Sequence, residues 1–172
     1  MAGHAFPTQV AAADASANAP DTVSLRFDTP SGLPVPRFVS TKSTQTYCRG
    51  GPSFDHPIKL TFMRKGLPVL VIAETRDHWR KVRDVDGDAC WVHHTKLSGA
   101  QTAIVLVEGL EVYARPSDTA AVRARLGAGL LAEIKGWEGE WARIDAGDAS
   151  GWALRDGLWG GRLQSTHIAA QN

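Results

Sequence analysis

The chain has 172 residues, 43% of them hydrophobic and 22% charged, with a net charge of +1, which suits one ordinary globular domain or two small ones. No run approaches the roughly 20 apolar residues that would carry a helix across a bilayer; the longest, Leu67 to Ala73, has strand length. Charge is uneven: residues 37–99 hold 11 Lys/Arg against 6 Asp/Glu (+5), and residues 100–160 hold 6 against 9 (−3). Such halves can dock on each other, the basic one can face an anionic polymer, or both can be solvated surfaces.

Residues 1–36 are rich in Ala, Pro, Ser, Thr and Asp without helical or strand period, and read as an unstructured leader. No Lys or Arg precedes Arg26, so the basic start of a secretory signal is missing, yet Val10 to Ala15 resembles the small-residue end of one. An exported protein with a remnant signal and a flexible leader both fit. Pro30 to Pro36 reads as a stiff extended lead-in, because each proline fixes its own φ and biases its predecessor.

From Arg37 the pattern turns to short strands: Phe38-Val39, Thr46 to Arg49, Lys59 to Met63, Leu67 to Glu74, and Trp79 to Arg83 with period-two alternation. Asp86-Gly87 signals a two-residue hairpin before Cys90 to His93. The same order returns in Thr102 to Val107, Leu110 to Tyr113, Val122 to Leu126, Leu130 to Lys135, Trp141 to Asp145 and Gly151 to Leu154. Pro52, Gly66, Trp79, Trp91 and Leu97 match Pro116, Gly129, Trp141, Trp152 and Leu158, with intervals of 14, 13, 12 and 6 against 13, 12, 11 and 6. This is an internal repeat of about 60 residues. Many short strands with frequent turns predict an all-β chain of two tandem small β-barrels at 37–99 and 100–160, with a flexible tail over 161–172. Closure into a barrel protects the strand edges that a small isolated sheet would expose.

The motifs Tyr47-Cys48-Arg49-Gly50-Gly51-Pro52, Lys65-Gly66, Trp79-Arg80-Lys81-Val82 and Cys90-Trp91-Val92 resemble those of the bacterial SH3-like (SH3b) domain family. Copy two carries Val112-Tyr113-Ala114-Arg115-Pro116, Gly129, Trp141-Ala142-Arg143-Ile144 and Gly151-Trp152-Ala153 at the same places. Cys48 stands for the usual aliphatic residue, Cys90 for the usual glycine, and copy two lacks the full first motif. The resemblance implies a partly open five-stranded barrel that binds cell-wall peptide or glycan or targets an envelope protein.

Binding by such a barrel is expected in the groove between the loop after the first strand and the central hairpin. Tyr47, Arg49, Trp79 and Trp91 are the candidates in copy one, and Tyr113, Trp137 and Trp141 in copy two, with Trp79 and Trp141 partly exposed and Trp137 more so. Trp91, Trp152, Leu97 and Leu158 are expected in the cores, where a buried Trp supplies large apolar area. Cys48 and Cys90 lie in strands that can approach in a small barrel. A disulfide and two buried reduced thiols are both open, the first fitting an oxidising compartment.

A Cys-dependent hydrolase would need thiolate, base and orienting group converging in a cleft, which the strand-like surroundings of Cys48 do not advertise. His93 and His94, adjacent on a strand, should point to opposite faces and so make poor joint metal ligands. Gly127-Ala128-Gly129 precedes a strand rather than a helix and cradles no phosphate. No catalytic group, metal or cofactor is expected. The leading expectation is a non-enzymatic envelope protein, periplasmic or secreted, that recognises peptidoglycan or a protein partner. The alternative is a cytoplasmic accessory that binds protein or, through the basic residues around Trp79, nucleic acid.

Overall fold

The computed structural model describes residues 24–163. The first sheet comprises β1 (Arg37–Thr41), β2 (Thr46–Arg49), β3 (Ile58–Phe62), β4 (Pro68–Glu74), β5 (Trp79–Arg83), β6 (Ala89–His93) and β7 (Leu97–Ser98). Its strand order is β3-β2-β6-β5-β4-β1-β7, with every pair antiparallel. The second comprises β8 (Thr102–Val105), β9 (Leu110–Tyr113), β10 (Val122–Leu126), β11 (Leu131–Glu138), β12 (Trp141–Asp145), β13 (Ser150–Leu154) and β14 (Leu158–Gly160). Its order, β10-β9-β13-β12-β11-β8-β14, repeats the first element for element. The protein is all-β, and the internal repeat is a repeat of topology. Each sheet has seven strands rather than about five; the two- and three-residue β7 and β14 pair with β1 and β8 at one edge, opposite β3 and β10 at the other.

Among the described residues the only helical pieces are two 3-10 turns, so neither sheet has a helix to cover it. Each buries one face by wrapping on itself. Alternation selects that face: Val69 and Val71 of β4, Val82 of β5, and Cys90 and Val92 of β6 share the first core. In the second, Ala132, Ile134, Ile144 and Ala153 occupy the places matching Val69, Val71, Val82 and Val92, and Ala142 joins that core. Asp86-Gly87 is not a two-residue hairpin. Arg83 pairs with Ala89 around a five-residue loop, in which the Asp84 carboxylate accepts the N–H groups of Asp86 and Asp88 and Gly87 takes a φ of +93°.

Cys48 and Cys90 form a disulfide inside the first core, with a Cα–Cα distance of 5.5 Å. Register places Val112 and Gly151 at the same points of copy two. A Cβ on Gly151 would lie 2.8 Å from Val112 Cγ1 and 2.5 Å from the Tyr113 carbonyl. One copy thus fills the space with a sulfur bridge, the other with a valine against a glycine.

The leader reading is corrected over residues 24–36; its residues 1–23 lie outside the described residues, as do 164–172 of the expected tail. Arg26 and Val35 form a two-way β-bridge, and Val35, 1% exposed, belongs to the first core. The proline-rich stretch is therefore part of the barrel, because it brings an apolar side chain to an opening the strands leave. The barrels touch: Thr102 Oγ1 donates to the Gly66 carbonyl at 2.7 Å, and Phe38 meets Trp159 edge to face at 5.0 Å.

Candidate ligand-binding site

The outer face of the first sheet is set by the residues between core positions. Cys90 and Val92 point inward, so Trp91 points outward, in register with Lys81 on one side and Arg49 on the other. Trp152 likewise stands between Arg143 and Tyr113. Both tryptophans are half-buried outer-face residues and belong to neither core cluster. The expectation of a structural Trp91 and Trp152 is corrected by that alternation. Leu158 is buried in the second core, and Leu97 packs half-buried against the first.

Trp79 departs from expectation in the opposite sense, being 4% exposed. What covers it comes from two directions. Phe54, in the loop between β2 and β3, packs edge-on at 4.9 Å, and His93, its register partner on β6, packs at 5.4 Å. Phe54 itself is 66% exposed and also meets His93 at 5.6 Å. Arg49 stacks its guanidinium over the Phe54 ring at 5.7 Å. The exposed aromatic at this end of copy one is therefore Phe54, with Trp79 as its floor.

The loop holding Phe54 is well tied. Gly50 N–H donates to Pro57 O, Arg49 Nη1 donates to His56 O at 2.7 Å, and the Ser53 hydroxyl pairs with His56 Nδ1 at 2.9 Å. The His56 ring lies directly over Gly51, where a Cβ would sit 2.3 Å from it. A side chain at residue 51 would have to displace that ring.

Behind Trp79 three imidazoles gather. The His78 and His94 rings are 4.8 Å apart, those of His93 and His94 4.9 Å, and those of His78 and His93 6.5 Å. The expectation that His93 and His94 diverge fails because the strand ends at His93 and a 3-10 turn, His94–Lys96, begins at once. His78 takes a φ of +66°, a left-handed conformation uncommon outside glycine, and its carbonyl accepts the His94 N–H. His93 Nδ1 pairs with the Thr95 hydroxyl at 2.9 Å. Burial pushes the pKa of His93 down, and His94, His78, Arg80 and Lys96, all cations or able to become so, push it further. His94 is lowered by burial, His78 and Arg80. Among the described residues no group of three or more His, Cys, Asp or Glu has the arrangement of a metal site.

Beside the cluster, Arg80 is buried on β5 and pairs through Nε with Glu74 at 3.0 Å, while Arg37 holds the same oxygen at 2.6 Å. Burial pushes the Glu74 pKa up, but hydrogen bonds from Ser31 and Arg37 and the Arg37 charge outweigh it, and the carboxyl ends below its ordinary value. In copy two these three places hold Gln101, Trp137 and Ala142, and Trp137 Nε1 donates to Gln101 Oε1 at 3.3 Å.

The remaining candidates fall in separate places. Tyr113 and Trp141 meet edge to face at 5.3 Å, and the Tyr113 hydroxyl donates to Glu111 at 2.6 Å. Trp137 is away from that pair, covered by Gln101 and by Arg162 at 5.2 Å. Tyr47 is exposed on β2 opposite Thr61, with no ring partner among the described residues. Cys48, bound in the disulfide, offers no thiolate. Phe54 and His78 were not singled out as ligand-facing from the sequence. Phe54, an apolar residue inside a Gly/Pro/Ser loop, was the available signal.

A family model described as a bacterial SH3 domain matches residues 42–99 and again 107–160. No match is found among curated proteins. Among solved structures the chain is similar to NlpC2 of Trichomonas vaginalis, at 14% identity over 77% of this chain and 50% of that one, TM-score 0.35. It is also similar to NlpC1 of the same organism, at 17% over 70% and 44%, TM-score 0.32. A Listeria monocytogenes protein described as an autolysin matches at 12% over 76% and 65%, TM-score 0.31. The chain thus spans about half to two thirds of these proteins, and at such scores the likenesses carry no weight for function.

Proposed function

Since the chain belongs to the bacterial SH3 domain family, in two tandem copies, we propose that it is a non-enzymatic binding protein of the cell envelope whose ligand is peptidoglycan. The observation that carries this reading is the exposed Phe54 ring, held over Trp79 and flanked by Arg49 and His93. An aromatic face stacks on the apolar face of a sugar or on a peptide side chain, while a guanidinium fork beside it takes a carboxylate in two parallel hydrogen bonds. The Cys48–Cys90 disulfide favours an oxidising compartment, periplasmic or extracellular.

The groove of copy two, with Tyr113 against Trp141, supplies a second and less basic contact on the same wall. Two weak sites on touching barrels add avidity if one polymer reaches both. The test is retention of the purified chain on isolated sacculi. Phe54→Ala, exposed and outside the core, should lose most retention with an unchanged circular dichroism spectrum. Retention equal to wild type would overturn the site. Loss of wild-type retention by a moderate rise in salt would indicate surface charge alone.

A further inference from the structure

Three imidazoles gathered beside the exposed Phe54 ring can carry a proton-dependent charge, and the repeat shows that the fold does not need them. By register and by the landmark tryptophans, His78, His93 and His94 of copy one correspond to Glu140, Leu154 and Arg155 of copy two. There Arg155 pairs with Glu140 at 3.4 Å and also donates to the Leu163 carbonyl. The backbone bond joining the two segments is the same in both copies, His94 N–H to His78 O and Arg155 N–H to Glu140 O. One copy thus places a charge-balanced pair where the other places three titratable rings with no carboxylate between them.

We propose that the His78–His93–His94 cluster makes the first barrel a proton-gated site for the carboxylates of peptidoglycan stem peptides, binding more tightly as pH falls from about 7.5 to 5.5. The inference rests on the peptidoglycan reading above and adds to it the charged group recognised and its regulation. His93 touches both Phe54 and Trp79, so a ligand stacked on Phe54 lies beside the imidazoles. The surrounding charges favour an anion. Arg80 comes from β5, Lys96 from the 3-10 turn, and Arg49 from β2. The carboxylates nearest in sequence, Asp55 beside Phe54 and Asp77 beside His78, are exposed, and neither forms an ion pair among the described residues.

Above neutral pH His93 and His94 are uncharged, and Arg49, Lys96 and stacking hold the ligand weakly. As they protonate, the cations repel one another, and a carboxylate between them relieves the repulsion. By linkage, ligand binding must then draw protons onto the rings. Stem-peptide carboxylates stay ionised over this range.

The experiment measures the affinity of the full chain for isolated sacculi at pH 7.5 and 5.5, at constant salt, beside sacculi whose carboxylates are amidated. Binding is expected to tighten at least about threefold at the lower pH. His78→Gln/His93→Gln/His94→Gln should show one affinity at both pH values, and wild type should lose its gain on amidated sacculi. Folding of each protein at both pH values is checked by circular dichroism. Wild-type binding that is equal at both pH values, or a gain retained by the triple variant or on amidated sacculi, would overturn the gate while leaving the peptidoglycan reading intact. No binding at either pH would sink both.

Discussion

Replacing Cys48 by Val and Cys90 by Gly transplants the solution of copy two into copy one. The two cysteines are buried and 42 residues apart in sequence. In the chain-entropy account, releasing a loop of that length restores about 4 kcal/mol of freedom to the unfolded chain. The new glycine adds about 0.5–1 kcal/mol in a strand interior. The introduced valine restores apolar volume, as Val112 does beside Gly151, so no large cavity penalty joins these. The expected loss is therefore about 4 to 5 kcal/mol, a large part of the roughly 5–15 kcal/mol that holds a domain folded. Urea unfolding followed by tryptophan fluorescence should show it. With a slope of about 2 kcal/mol per molar, the midpoint falls by roughly 2 M relative to the oxidised wild type. Reduced wild type should fall by a similar amount. A variant whose midpoint lies within about 0.5 M of the oxidised protein would refute the reasoning, by showing that the unfolded chain gains little from the missing cross-link.

Acid should weaken the first barrel before carboxylates titrate. His93 and His94 have pKa values below that of a free imidazole, so the unfolded chain binds more protons as pH falls through about 6.5. Their stabilising effect is present above that pH and is lost as it falls toward the folded values. Melting temperature should drop between pH 7.5 and 5.5 without ligand, and a wild-type slope equal to that of the triple glutamine variant would contradict this. Glu74→Gln removes the shared partner of Arg37 and Arg80 at a side chain 1% exposed, and should cost about 3 kcal/mol in urea unfolding. A loss below about 1 kcal/mol would mean the two arginines find water instead. Gly51→Ala drives a methyl into the His56 ring and should displace the Phe54 loop, lowering both melting temperature and sacculus retention. Unchanged retention would separate the loop from the site.

Period-two alternation and the repeated landmarks made the strands, their order and the doubling legible before any coordinates. The same alternation, read strictly, also forecasts that Trp91 faces outward between Cys90 and Val92. The expectation of a buried Trp91 put side-chain size ahead of strand phase. Trp79 was beyond this kind of reading, since its burial comes from Phe54, in the loop between β2 and β3, and from His93, on β6. The histidine cluster was hidden by the assumption that the strand continues past His93, whereas a 3-10 turn brings the His94 ring back beside it.

The sequence by itself determined an all-β chain and its internal doubling, because local period and turn chemistry act over a few residues at a time and the landmarks recur at matching intervals. Only the tertiary structure decided which aromatics are exposed, that Cys48 and Cys90 pair, that Val35 completes the first core, and that three histidines meet beside Phe54. Those outcomes depend on which segments cross in space, and the sheet brings together side chains that no spacing along the chain relates.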